Sequence, residues 1–171
     1  STNSFLQDYK EATTPAIQSQ IVGGARTDLF KVNTRSHGTN ANSKFKLAIR
    51  DIKEPNDNPQ GDYGVFGIEV RRNNPGQLND NEVLESFQNL TFDPDSINYL
   101  PRAIGDRYIT IDSNGKLTTN GDYPNQSKFI YISNYTNLVG VSKGLVPMGF
   151  GAVSSPHNST LALDDRFKPS L

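Results

Sequence analysis

Cysteine is absent from the 171 residues, and only two histidines and one methionine occur. Without cysteine there can be no disulfide, no thiolate metal site and no cysteine nucleophile, although the compartment stays open. The two histidines, His37 and His157, are too few to build a histidine metal site, and neither accompanies a nucleophile in a motif. No apolar run approaches the roughly 20 residues that a membrane helix needs. The opening STNSFLQDYK has neither the basic nor the apolar region of a signal peptide. A soluble chain with no membrane insertion is expected. Charge of one sign is missing too: 17 basic residues stand against 18 acidic ones, a net of -1, so no nucleic acid partner is expected. The glycines form neither a phosphate loop of the G-x-x-x-x-G-K-[ST] type nor a G-x-S-x-G elbow, so nucleotide binding has no support and no cofactor is expected. Apolar residues make up only 34%, and mean hydropathy is -0.59. The length suits one domain, with a modest core inside long loops. The chain does not begin with Met, so a piece of a longer protein is expected.

What is present divides into an extended N-terminal connector over 1–28, a folded region over 29–150 and a C-terminal extension over 151–171 with little to pack. Phe5, Leu6 and Tyr9 could make one helical turn before the Thr-Pro and Gly-Gly punctuation of ATTPAIQSQIVGG. LFKVNT, Leu29 to Thr34, reads as a strand. In KFKLAIRDI a period of two puts Phe45, Leu47 and Ile49 on a core face and Lys46, Ala48 and Arg50 opposite. YGVFGIEVRR repeats the pattern with Phe66, Ile68 and Val70 inward. Lys53 to Asp62, with two prolines and a glycine, would close these two strands as a long hairpin. The period changes in NDNEVLESFQNL: Val83, Leu84, Phe87 and Leu90 share a helical face, with Asn79 or Asp80 as cap and Glu82 suited to the helix dipole. DRYITID and KFIYIS read as strands, with a further hairpin arm at Lys116 to Thr119 between two Asn-Gly turns. The expected fold is α+β, a mainly antiparallel sheet of four to six strands with one or two helices packed on it.

The densest chemistry lies in FDPDSINYLPRAIGD, Phe92 to Asp106. Asp93 and Asp95, or Asp106, invite a glycosidase reading, which needs two carboxyls about 5–10 Å apart across a cleft. The blander reading is a helix start, with Asp93, Asp95 or Ser96 capping free N–H groups, Pro101 inside the first turn and Gly105 as the C-terminal stop. Counted from Asp93, the spacing fails the calcium-loop pattern at Ile97 and Asn98. Asp57 and Asp62 with their neighbouring amides could hold at most a weak surface ion, and turns explain them equally. Asn89, Asn134 and Asn158 match the glycosylation sequon, as chance allows in a chain this rich in Asn. Arg71, Arg72, Arg102 and Arg107 set against Asp80, Glu82, Glu85, Asp93 and Asp95 form a segregated charge pattern that suits docking against further copies, and an ordinary solvated surface explains it equally. Tyr63, Tyr99 and Tyr123, in loops, are further contact candidates.

Four blocks together resemble the sheath proteins of contractile bacteriophage tails: ATTPAIQSQIVGG (Ala12 to Gly24), Asp28 to Lys53, GDYGVFGIEVRR (Gly61 to Arg72) and Val83 to Tyr108. The resemblance is carried by Leu-Phe followed by a Gly-Thr-x-x-Asn turn, then Asp-Tyr-Gly-x-Phe, Leu-Glu-x-Phe, Asp-Pro-Asp-Ser-x-Asn-Tyr and Ile-Gly-Asp, in that order. It covers about half the chain. It implies a structural protein of the virion, assembled in the host cytoplasm, whose copies stack as rings around an inner tail tube above a baseplate. Contraction of the array would drive the tube through the host envelope. The C-terminal domain that makes the tube contacts in such proteins has no counterpart here, so an outer or middle fragment is expected. Its expected subunit-contact residues are Arg71, Arg72, Asp93, Asp95, Arg102, Arg107, Tyr63 and Tyr99. A carbohydrate- or receptor-binding module of a virion is the alternative.

Overall fold

A computed structural model describes residues 13–35, 45–55, 62–135 and 143–149, and the backbone of 161 and 162. His37, His157, Asp57, Asn158 and the turn at Phe5 to Tyr9 lie outside them. Among the described residues the strands are β1 (Ile17–Gln18), β2 (Asp28–Thr34), β3 (Phe45–Lys53), β4 (Val65–Arg72), β5 (Val83–Leu90), β6 (Tyr108–Ile111), β7 (Leu117–Asn120), β8 (Ile130–Ser133) and β9 (Leu161–Ala162). One five-residue helix, α1, spans Leu100–Ile104. The strands pair antiparallel in three sheets, ordered β1-β2-β8, β5-β4-β3-β9 and β6-β7. The fold is thus β-rich, with less helix and more, smaller sheets than the expected single sheet.

The first two sheets share one core. Leu29, Phe30 and Val32 of β2 and Ile130 and Ile132 of β8 pack with Phe45, Leu47, Ile49, Phe66, Ile68 and Val70 of the larger sheet. At its centre the Phe66 and Phe92 rings lie 5.1 Å apart, with Phe30 6.4 Å from Phe66 and 6.2 Å from Phe92. The period of two in β3 and β4 places this face as expected, but the opposite face of β3 is not solvated. Lys46 and Ala48 are buried, and the 73–82 loop folds back onto Lys46. There Asp80 pairs with Lys46 at 3.2 Å, and the Asn81 carbonyl accepts from Arg71 Nη1 at 3.0 Å.

The helix expected over Val83 to Leu90 is strand β5. Its apolar spacing looks helical because of β-bulges. Phe66 faces Leu90 and Ile68 faces Phe87, so three steps on β5 match two on β4, and Asn89 takes up the extra residue at φ 56°. A second register shift lies between the Val70–Glu85 and Arg71–Val83 pairs. Asp80 therefore caps no helix. The real helix follows Tyr99, carries Pro101 in its first turn and has no side-chain cap. Asp93 and Ser96 build turns ahead of it: Asp95 N–H donates to Asp93 Oδ1 at 3.0 Å and Asn98 N–H to Ser96 Oγ at 3.0 Å. Gly105 does end α1, but at φ 108°, ψ 152°, which is not the left-handed helical geometry of the usual glycine stop and lies in a region open essentially to glycine alone.

The ends also pack more than expected. Thr14, Ile17 and Ser19 of the connector are buried, β1 pairs with β2, and β9 within the C-terminal extension pairs with β3.

Candidate functional site

The expected contact residues separate into several places. Arg71 is buried and committed inward, with Nη2 2.6 Å from Glu69 Oε2, while its strand neighbour Arg72 holds Glu82 at 3.0 Å. Tyr99 is buried edge-on against Tyr123, and Arg102 lies over the Tyr123 ring at 5.5 Å. Arg71 and Tyr99 therefore spend their side chains inside the protomer. Tyr63 is half-buried beneath Lys143, whose Nζ lies 5.7 Å from the ring centroid and 3.2 Å from Asp62. Hydrogen bonding to Asp62 raises the Lys143 pKa. Asp93 is half-buried in its turn; Asp95 and Arg107 are exposed. Glu85 leaves the expected acidic set altogether: it accepts from the Ser127 hydroxyl and, at 3.0 Å, from the Lys128 N–H, tying the edge of the larger sheet to the segment before β8.

Asp106 is the buried hub that its place at the end of the acidic stretch does not reveal. Its carboxylate accepts from the Tyr123 N–H at 2.8 Å, the Asp122 N–H at 3.2 Å and the Tyr135 hydroxyl. Burial, then the hydrogen bond to Asp106, pushes the Tyr135 phenol far above its ordinary 10.0. Burial likewise raises Tyr99, helped by the charges of Tyr123 and Asp106. Of the three carboxylates of the glycosidase reading, Asp93 supports a turn, Asp95 is exposed, and Asp106 is filled by its own chain's donors. Among the described residues no group of three or more acidic or histidine side chains is placed to hold a metal ion.

From Asp106 the chain enters the β6-β7 hairpin, the least integrated element. A two-stranded ribbon alone is marginal in water. Its base is held by the Asn125 side chain, which accepts from the Arg107 N–H at 3.1 Å and donates to the Arg107 carbonyl at 2.9 Å, and by Tyr108 stacked on Tyr131 at 5.9 Å. Beyond the base, Ile109, Ile111 and Leu117 remain 62%, 46% and 62% exposed. Register puts them on one face, since Ile111 pairs with Leu117 and Ile109 stands two residues away. The Tyr108-Tyr131 stack separates two clefts. One, of about 690 Å³, opens beside Asp106, Ser133, Asn134 and Tyr135. The other, of about 340 Å³, runs along the apolar hairpin face and is edged by Arg35 and Arg107. The alternation in YITID was the available signal, but it reads as a half-buried strand, and nothing local shows that the apolar side stays uncovered.

No helix among the described residues is long and apolar enough to cross a membrane. No protein-family model matches the chain, and neither the curated proteins nor the solved structures contain a match to it.

Proposed function

We propose that the chain is a structural portion of a contractile bacteriophage tail sheath subunit, acting without catalysis and assembling with further copies of itself around an inner tube. The observation that supports it is where the resembling blocks fall. Asp28 to Lys53 carries β2 and β3, Gly61 to Arg72 carries β4, and Val83 to Tyr108 carries β5, the Asp-Pro-Asp-Ser turns and α1. These are the elements that make the shared core, whose buried members include Phe30, Phe66, Phe92, Leu100 and Ile104. A body of this kind, clamped by the buried Asp106 and the half-buried Glu85, suits a subunit that moves rigidly while its neighbours repack around it. The work would come from the difference in packing between two lattices, with no hydrolysis. Expression of the parent protein followed by electron microscopy tests it: hollow tubes or stacked rings are expected, and dispersed particles under every ionic condition would sink it.

The larger cleft favours a second reading, a virion module that binds carbohydrate. Tyr108, 39% exposed, offers a ring beside the polar edge of Asp106, Ser133 and Asn134. Of the loop tyrosines first considered for that role, Tyr99 is buried. Glycan-array binding lost on Tyr108→Ala would support it, and no binding by the intact chain would remove it.

A further inference from the structure

We infer that the apolar face of the β6-β7 hairpin, with Arg35 and Arg107 at its edge, receives the 93–97 loop of a second copy of this chain. The inference rests on the self-assembly reading above and names one of its contacts.

The two surfaces are complementary in shape of chemistry. The hairpin groove offers Ile109, Ile111 and Leu117 together with two guanidinium groups. Arg35 uses one nitrogen on the Ser127 carbonyl, and the Arg107 guanidinium has no ion-pair partner among the described residues. The loop offers the reverse: Ile97 is 80% exposed, between Asp93 and Asp95 on one side and the buried Tyr99 on the other. The Asp95 carboxylate likewise has no ion-pair partner among the described residues. Among the described residues no hydrogen bond or ion pair joins the two patches to each other.

Both surfaces are also held in place before they meet. Ser96 N–H donates to the Asp93 carbonyl at 3.1 Å, Tyr99 N–H to the Ser96 carbonyl at 3.1 Å, and Asp95 N–H to Asp93 Oδ1 at 3.0 Å, which fixes the loop that presents Ile97. The hairpin turn is fixed by Asp112 Oδ1, which accepts from Asn114 and Lys116 N–H at 2.9 and 2.8 Å. Little chain entropy is then lost on contact, which favours association over a flexible pair of similar area. Because groove and loop are different segments, one copy can use its groove on one neighbour and its loop on another, a head-to-tail arrangement that propagates.

Sedimentation of the chain at low ionic strength, over a wide concentration range, tests the contact. Concentration-dependent association is expected. Asp95→Arg and Arg107→Glu should each weaken it by roughly tenfold or more, while an equimolar mixture of the two variants recovers it, because each supplies the charge the other lacks. Leu117→Asp, also at an exposed position, should abolish it while leaving the circular dichroism spectrum unchanged. A chain that sediments as a monomer throughout, or one whose association ignores all three changes, overturns the inference. Tubes of the parent protein that form normally with Arg107→Glu would remove this contact and leave the sheath reading standing. Mutually rescued association without any tube from the parent would do the opposite.

Discussion

Asp106 shows how a single side chain joins parts of this molecule that are distant in sequence. It lies directly after α1, yet its three donors come from residues 122, 123 and 135. Removing the Tyr135 hydroxyl with Tyr135→Phe leaves Oδ2 with only the Asp122 N–H, and a lost bond to a charged group costs about 1.5–3 kcal/mol. Urea unfolding at neutral pH should show that loss. The same phenol controls the alkaline limb. Its folded pKa is raised above the unfolded 10.0, so its contribution is complete below pH 10 and disappears as pH rises beyond it. Tyr135→Phe should therefore flatten the fall in melting temperature above pH 10. The acid limb has a counterpart in Asp80, held below its ordinary 3.8 first by the Asn74 N–H and then by Lys46. That contribution is present above pH 3.8 and lost as pH falls through the depressed value. Asp80→Asn should cost about 1–3 kcal/mol at neutral pH, since it leaves the buried Lys46 ammonium without its carboxylate, and should reduce the acid sensitivity. Thermal melts from pH 2 to 7 on both proteins would check the sign.

At the scale of elements, β5 shows why a residue pattern can point to the wrong structure. Val83, Leu84, Phe87 and Leu90 carry a spacing of three and four, and a helix is its simplest explanation. Two bulges give the same spacing to a strand by inserting residues that face no partner, so Phe87 and Leu90 both reach the core side opposite Ile68 and Phe66. The helix that does form is short because Gly105 turns the chain at once, under tight constraint. A Cβ there would lie 2.4 Å from Asn125 Cα and 2.8 Å from the Pro124 carbonyl oxygen. Gly105→Ala should be destabilising by more than the roughly 1–3 kcal/mol of the backbone region alone, because backbone atoms stand in the way. Chemical denaturation would measure it, and an unchanged midpoint would contradict the account. Val22-Gly-Gly-Ala25, by contrast, meets nothing within 4 Å at either glycine, and its turn is set by backbone conformation alone.

For the whole molecule, the stabilising unit is the aromatic centre between the two larger sheets. Phe66 is 1% exposed and touches both Phe30 and Phe92, so Phe66→Ala should cost about 3–5 kcal/mol and lower the melting temperature sharply, as calorimetry would show. Exposed Leu78 is the control: it is fully exposed, and Leu78→Ala should change stability by no more than about 0.5 kcal/mol. Much of this arrangement was legible in the residues. Alternation located β3 and β4, short apolar runs marked β2 and β8 as strands, and Asn-Gly marked the turn between β6 and β7, because a pleated strand and a tight turn impose local requirements on side chain and backbone. The sequence alone also determined that thiol chemistry and a histidine metal site are excluded, and that charge is nearly balanced. Tertiary structure decided the rest. It buried Lys46 and Arg71 on a face that alternation assigns to solvent, because a loop ten residues long returned with Asp80 and the Asn81 carbonyl to satisfy them. It turned Asp106 from a candidate acid into a structural hub, and left Ile109, Ile111 and Leu117 uncovered. Burial, partner and exposure are set by what the remainder of the chain brings to a residue, and a linear pattern of neighbours does not contain that information.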